Sequence, residues 1–226
     1  MVRARLGALA ASSLVVGAAI GLLRPWPKRA IGLVLGFGAG ALISAVSFEL
    51  AEEGVELGGA LPVAIGLAVG AITYFVAAGR VAAMGGGSAL ALGAFLDGIP
   101  EQMVLGIGLA GGAPVSAGLL AAIYVSNLPE AIGGATDMHR EMHSRRRVML
   151  NWLWIAGFCA LATVVGYAVA DAASDELHAG INGFAAGALI VMLVDSMIPE
   201  ATDQAGRTTG LVTTLGFAVA AGLSLA

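Results

Sequence analysis

The chain has 226 residues, of which 58% are apolar and only 12% are charged, and its formal net charge is −4. A soluble domain carries about 25% charged residues and could not bury this much apolar surface. Disordered chains are polar and charged, the single cysteine excludes a disulfide scaffold, and without a basic stripe nucleic acid is not an expected partner. The composition therefore predicts an all-α integral membrane protein, with the lipid bilayer as its surroundings.

Eight apolar runs of about 18 residues or more predict membrane-spanning helices. In chain order they are Leu6–Leu23, Ala30–Leu50, Ala60–Gly79, Ser88–Ala110, Val115–Ala135, Val148–Ala170, Ala179–Ile198 and Thr208–Leu225. Their connections are short, so residues 1–226 are expected to form a single transmembrane domain. Arg3 and Arg5 before the first run are also typical of a signal peptide, but the basic connection that follows it favours a retained helix.

The positive charges predict how the chain is oriented. With the N-terminus outside, the connections after the odd-numbered helices face the cytoplasm and carry nine of the 11 Lys and Arg residues, as the positive-inside rule requires. We therefore expect a multi-pass protein of the cytoplasmic (inner) membrane with its N-terminus outside. The longest polar connection is predicted at Asp137–Arg147.

One sequence segment occurs twice. Gly36–Ile43 of helix 2 reads GFGAGALI, and Gly183–Ile190 of helix 7 reads GFAAGALI. Because helices 2 and 7 are five apart in the chain, they are expected to run in opposite directions. This pattern indicates an inverted-topology repeat, which is a common plan of secondary transporters. Chance matching of small residues is the alternative.

Helices 4 and 5 carry carboxylates near the middle of their spans. Asp97 and Glu101 lie one turn apart on helix 4, and Ser126 and Glu130 lie one turn apart on helix 5, with Asn127 beside them. A carboxylate at the centre of a bilayer costs about 2.5–3.5 kcal/mol on insertion scales. Such groups persist where they face water, a partner or an ion.

Two prolines add further oxygen atoms to this region. Pro100 cannot donate a hydrogen bond to the carbonyl of Leu96, and Pro129 cannot donate one to the carbonyl of Val125. No Lys or Arg is predicted within the spans to neutralise the acids. Carboxylate, hydroxyl, amide and carbonyl oxygens together predict a site for a hard divalent metal cation, bound as a substrate, with no resident cofactor. A carboxyl group that is protonated and simply packed is the alternative.

Three further acidic residues lie toward the ends of helices 2 and 7. Glu49 is expected on the outer side, and Asp195 and Glu200 on the cytoplasmic side. These positions suggest entry and exit ligands of an ion path. Solvated helix ends are an equally good interpretation for Glu200.

At these residues the chain resembles the ZIP family of divalent-metal transporters. The resemblance covers the eight predicted helices, the segments Asp97–Glu101 and Ser126–Glu130, and the helix 7 ending Val194–Glu200, which is similar to the family's Asp-Glu-Leu-Ile-Pro-Glu. It implies transport of zinc, iron or manganese into the cytoplasm, with no enzyme activity. It also implies a 3+2+3 arrangement of helices, alternating access and a homodimer.

The motifs of helices 4 and 5 depart from the family pattern in four places, and in helix 7 Ser196 stands where the family often has Glu. The family's helix 4 motif is usually His-Asn-x-Pro-Glu-Gly, where this chain has Asp97, Gly98 and Gln102 in place of His, Asn and the last Gly. Ser126 replaces the usual His of helix 5.

These departures change what the resemblance implies about the metal. Of the family's two adjacent metal positions, the first keeps Asp97, Glu101, Ser126 and Glu130, whereas the second keeps only Asn127. We therefore expect one principal, divergent metal site. Without imidazole the ligands are all oxygen, which favours manganese or iron(II) over zinc.

Three other readings stay open at this point. The carboxylates could carry protons coupled to the transport of another solute, or the chain could be a non-transporting relative. An intramembrane protease is the third. An aspartyl protease could pair Asp97 with Asp195. A serine protease would need a histidine within the membrane, whereas all three histidines are expected in connections, namely His139, His143 and His178.

Overall fold

The computed structural model describes residues 2–24, 26–110 and 117–224, and over these residues the chain forms eight helices and no strand. In chain order they are α1 (Val2–Leu23), α2 (Lys28–Gly58), α3 (Ala60–Met84), α4 (Gly86–Ala110), α5 (Ala117–Met142), α6 (Arg145–Asp171), α7 (Asp175–Ala205) and α8 (Thr208–Ser224). The all-α prediction is confirmed for this part of the chain.

Counting only described residues, five helices are long and apolar enough to cross a membrane, namely α1, α2, α3, α6 and α7. Large apolar side chains such as Leu61 are exposed, as on a lipid-facing surface. The chain therefore has the helices of a multi-pass membrane protein, while spanning by α4, α5 and α8 stays a prediction. Val115 and Leu225, which bound the fifth and eighth predicted spans, lie outside the described residues, as do the side chains of Arg3 and Arg5.

Helices α2 and α7 are antiparallel and contact each other at both ends. Gly58 at the end of α2 lies against Asp175 at the start of α7, and Gly32 near the start of α2 lies against Gln204 near the end of α7. We call the end of the bundle that holds the connections after α1, α3, α5 and α7 the basic end. Its exposed cations in the described chain are Arg24, Lys28, Arg29, Arg80, Arg140, Arg145, Arg146, Arg147 and Arg207.

The connection between α5 and α6 is much shorter than predicted. The polarity of Asp137–Arg147 suggested a loop, but α5 continues to Met142, and only His143 and Ser144 lie outside a helix. The Ser144 side chain caps α6 by accepting a hydrogen bond from the backbone N–H of Arg147. Capping of this kind satisfies an otherwise unpaired N–H group and lets a polar segment start a helix.

Of the three histidines predicted in connections, only His143 lies in one. His139 lies in the last turns of α5, and His178 lies in α7, where it is only 8% exposed. Helix α7 begins at Asp175, four residues before the predicted span, because Ser174 caps it by accepting a hydrogen bond from the N–H of Leu177. A polar first turn thus precedes the apolar part of this helix.

Helices α2 and α7, which share the repeated sequence, also share an internal plan. Each changes from α-helical to wider π-helical turns, at Val46–Glu52 in α2 and at Leu193–Met197 in α7. The two π segments start 147 positions apart. The same spacing separates Gly36 from Gly183, the first residue of α2 from the first of α7, and the last residue of α2 from the last of α7. The sequence did not predict the π turns, which are rare and occur mostly at functional sites.

Glycines bring neighbouring helix backbones into direct contact. Gly40 of α2 lies against the carbonyl group of Thr213 in α8, and Gly187 of α7 lies against that of Leu67 in α3. A side chain at either glycine would occupy the space of that oxygen. Gly40 and Gly187 are also 147 positions apart, so the α2–α8 and α7–α3 contacts are equivalent. The remaining helices pack as α1 on α5 and α6 on α4.

We expect Gly187→Ala to destabilise the protein, because its Cβ would meet the Leu67 carbonyl group. The free energy of unfolding should fall by about 1–3 kcal/mol, as for other overpacked sites. Gly157→Ala in α6 is the control, since no other part of the described chain lies within 4 Å of its Cβ position. Thermal unfolding of the purified protein in detergent measures both, and equal melting temperatures would contradict the close contact.

Candidate functional site

Glu101 of α4 and Ser126 of α5 meet in the interior of the bundle. The Ser126 Oγ lies 3.2 and 3.3 Å from the two carboxylate oxygens of Glu101 and 3.0 Å from the carbonyl oxygen of Ile123. Glu101 is 1% exposed and Ser126 is fully buried. Because a hydroxyl group has one proton, it can donate to only one of these oxygens at a time. Two of the predicted ligands are therefore in contact.

Asp97 lies one turn before Glu101 and has a partner on a different helix. Its Oδ1 accepts a hydrogen bond from the hydroxyl group of Tyr74 in α3. Tyr74 is 5% exposed, whereas Asp97 is partly exposed. This hydrogen bond connects α3 to the carboxylate pair of α4.

Glu130 and Asn127 of α5 carry buried polar atoms that have no hydrogen-bond partner in the part of the chain that the structure describes. The Oε1 atom of Glu130 is buried without a hydrogen bond in the described chain, and so are both polar atoms of the Asn127 side chain. Asn127 follows Ser126 directly, so its side chain leaves the helix about 100° away. Buried polar atoms of this kind cost free energy unless water or an ion satisfies them.

Both prolines are buried inside continuous helices. Pro100 lies in α4 and Pro129 in α5, and each helix continues through its proline. The prolines still remove donors from the carbonyl groups of Leu96 and Val125. Wider π-helical turns occur in α2 and α7, which contact α5 and α4 respectively.

A cavity of about 1070 Å³ leads from the basic end to Asp97 and Glu130. Its wall is mostly apolar, but the charged residues among its described lining are six carboxylates and a single exposed cation, that of Arg80. The carboxylates that line it are those of Asp97, Glu130, Asp137, Glu141, Asp195 and Glu200, and Tyr74 also lines it. A concentration of negative charge in a cleft attracts cations. Glu101 and Ser126 are not among its lining residues, so the described cavity ends at Asp97 and Glu130.

The three residues predicted for an ion path lie on opposite sides of this site. Asp195 and Glu200 line the cavity and are exposed, and a Glu200 oxygen accepts a hydrogen bond of 2.8 Å from Gln204. Glu49 lies in the π segment of α2, and its Oε1 accepts a hydrogen bond of 2.8 Å from Ser224 at the end of α8. The structure therefore brings two of the three to the cavity wall.

The predicted ligands do not form a tight cluster. Within the described ranges, no three His, Cys, Asp or Glu side chains are grouped closely enough to hold a metal ion. The oxygens occur in pairs instead, Asp97 with Tyr74 and Glu101 with Ser126. Carboxylates repel one another in a medium of low dielectric constant, so a cation would have to draw them together.

Sequence reasoning missed two polar contacts of this region. Tyr74 was treated as part of an apolar span, although a tyrosine in mid-span is unusual because the interfaces are preferred. Gln102 was noted only as a replacement, but its Oε1 accepts a hydrogen bond of 2.8 Å from Thr163 in α6. Both contacts join distant segments, and no local pattern announces them.

Comparison with known proteins gives one distant similarity. No family model matches the chain. Over an alignment of 190 residues, which covers 77% of the chain, it is 31% identical to an Arabidopsis thaliana protein named "putative zinc transporter". The matched region spans 30% of that longer protein. The helices are those of a multi-pass membrane protein, and the similarity is to one part of a protein that is named as a transporter.

We expect Glu130→Gln to raise the melting temperature measured in a chelating buffer. The substitution keeps the shape of the side chain but removes the negative charge of a buried carboxylate, and with it the repulsion from Asp97 and Glu101, which should gain about 1–3 kcal/mol. Glu176→Gln, at an exposed position, is the control. Adding Mn²⁺ should stabilise the parent protein and not Glu130→Gln, and stabilisation of both to the same degree would contradict a role of Glu130 in cation binding.

Proposed function

We propose that this protein is a secondary transporter that moves divalent metal cations across the cytoplasmic membrane toward the cytoplasm. The observation that carries the proposal is an acidic cavity, inside an apolar helical bundle, that leads to the buried carboxylates of α4 and α5. A charged group persists at such depth where it serves an ion or proton pathway. The resemblance to the ZIP family and the similarity to a protein named as a zinc transporter support the same function.

The principal metal site consists of Asp97, Glu101, Ser126 and Glu130. Asp97 and Glu130 receive the cation from the cavity, and Glu101 with Ser126 lies one turn deeper. The amide of Asn127, which has no protein partner in the described chain, adds an oxygen at the same level of α5. A site of carboxylate, hydroxyl and amide oxygens favours hard ions, so manganese and iron(II) should be preferred over zinc.

The helices have a 3+2+3 plan in which α1–α3 and α6–α8 are inverted repeats around the central α4–α5 pair. The equal spacing of helix ends, π segments and close glycines in α2 and α7 supports this plan. Transport by alternating access then means that one helix group moves relative to the other. The cavity is open at the basic end, which is the cytoplasmic end under the positive-inside rule, so the structure corresponds to an inward-open state.

Asp195 and Glu200 form the exit route to the cytoplasm, and Glu49 marks the entry route on the outer side. Release into an acidic vestibule keeps the cation attracted to the protein until water rehydrates it. The Glu49–Ser224 hydrogen bond joins α2 to α8 on the outer side. The functional unit is a homodimer, as the family resemblance implies.

Uptake into proteoliposomes tests the function directly. Glu101→Ala and Glu130→Ala are each expected to lower uptake of Mn²⁺ by more than the roughly 10–100-fold that loss of a supporting partner costs, because each removes a ligand. Glu176→Ala, an exposed carboxylate at the opposite end from the cavity mouth, should change uptake less than twofold. A panel of Mn²⁺, Fe²⁺, Mg²⁺ and Zn²⁺ should show Mn²⁺ or Fe²⁺ taken up best.

The same panel separates the alternatives. Proton-coupled carriage of another solute predicts no uptake of any divalent ion, although proton flux would depend on Glu130. A non-transporting relative predicts neither. A strong preference for Zn²⁺ over Mn²⁺ would contradict the ligand argument while leaving metal transport intact.

Labelling of single cysteines tests the orientation. In a Cys159→Ala background, Glu176→Cys should react with a membrane-impermeant maleimide in intact cells, because its connection is expected outside. Arg146→Cys should react only after the cells are permeabilised. The reverse pattern would place the cavity mouth outside and overturn the inward-open interpretation.

A further inference from the structure

Tyr74 places a hydroxyl group at the inner end of the cavity. It lies near the middle of α3, is 5% exposed and lines the cavity together with Asp97 and Glu130. Its hydroxyl donates to Oδ1 of Asp97. A buried tyrosine hydroxyl needs a hydrogen-bond partner, and here that partner is a proposed metal ligand.

The hydrogen bond restricts how the Asp97 side chain can turn. A carboxylate has two oxygens with about four acceptor sites in all. The Tyr74 hydroxyl occupies one site on Oδ1, which leaves Oδ2 and the remaining sites for a cation in the cavity. A neutral hydroxyl donor stabilises the Asp97 carboxylate less strongly than a Lys or Arg side chain would. A Lys or Arg at this place would compete with a bound cation for the carboxylate.

We propose that Tyr74 is a positioning residue, which sets the affinity for the transported cation by holding Asp97 in its ligating orientation. The inference rests on the proposed function. Hydrogen-bonded partners of metal ligands fix ligand orientation, and their loss typically costs about 10- to 100-fold in metal affinity or activity. Because Tyr74 belongs to α3, it also ties the site to the helix that packs most closely against α7.

Tyr74→Phe tests the proposal in proteoliposomes, with Mn²⁺ and Zn²⁺ as the probes. The KM for Mn²⁺ should rise by about 10-fold or more, while the maximal rate stays within about twofold of the parent, because the bundle and the translocation steps are unchanged. Tyr167→Phe is the matched control. It removes a hydroxyl that also bonds a carboxylate, that of Asp171 at 2.6 Å, but Tyr167 is half-buried in α6 and does not line the cavity, so the KM should not change.

A double-mutant cycle with Asp97→Asn separates positioning from a general structural effect. If Tyr74 acts through Asp97, then Tyr74→Phe should leave the KM of Asp97→Asn unchanged, because interacting residues are non-additive in such a cycle. Tyr74→Phe alone leaves the Asp97 carboxylate without its donor, which could reduce the yield of folded protein. The double variant avoids this problem because Asp97→Asn removes the charge of that carboxylate. The KM of the double variant is then compared with the KM of Asp97→Asn.

Three results would overturn the inference, namely an unchanged KM, a lowered KM, or an effect that is additive in the Asp97→Asn background. A lowered KM would mean that the hydroxyl competes with the cation. Failure of the double variant to fold would also overturn it, because Tyr74 would then support the fold independently of Asp97. Absence of uptake by the parent protein would instead refute the proposed function, so the two failures are distinguishable.

Discussion

The structure depends on how carboxylates are kept stable inside an apolar helical bundle. Each such group costs about 2.5–3.5 kcal/mol on insertion scales, and the chain reduces this cost in different ways. Asp97 and Glu101 each have a hydroxyl group beside them, from Tyr74 and Ser126. Glu130 has no donor for Oε1 in the described chain but lines a cavity. The three acids thus differ in their access to the cavity, since Glu101 is buried away from it whereas Asp97 and Glu130 line it.

The packing of the surrounding helices explains why a cavity can exist beside these acids. Gly40 and Gly187 let α2 approach α8 and α7 approach α3 at backbone distance, so these pairs are compact. Compact pairs leave space elsewhere, and the cavity lies between α3, α4, α5 and α7. The π turn of α7 borders this cavity and carries Asp195, whereas the π turn of α2 carries Glu49, which bonds Ser224 of α8. An extra residue per turn reorients the side chains that follow, which is one way to aim a carboxylate along a helix.

Features that depend on average composition were predictable from the sequence, and features that depend on single contacts were not. Hydropathy located the helices, because a membrane helix is long and apolar throughout. The predicted length of the α5–α6 connection was wrong because Ser144 caps α6, whereas polarity alone assigns the start of this helix to a loop. The predicted position of His178 was wrong because a polar turn, capped by Ser174, precedes the apolar part of α7. The π segments leave no pattern in composition, and the Tyr74–Asp97 contact joins residues whose proximity only the packing of α3 on α4 determines. The motif carboxylates were found because charge in an apolar run is itself a signal, although the sequence could not tell their partners.

A loose arrangement of ligands suits a transporter better than a preformed cage. A site that binds its ion in a rigid cluster releases it slowly, whereas conduction requires binding strong enough for entry and weak enough for exit. Carboxylates that are not neutralised repel one another, and Asp97 and Glu101 each have a hydroxyl partner of their own. A divalent cation would reverse the balance by attracting several oxygens at once. The free energy of that rearrangement lowers the net affinity for the cation. The carboxylate oxygens belong to α4 and α5, and their hydroxyl donors belong to α3 and α5. Cation binding would therefore also change how these helices contact one another. Cation binding and helix movement are then parts of the same equilibrium, since a ligand shifts a conformational equilibrium only through its different affinity for the two states.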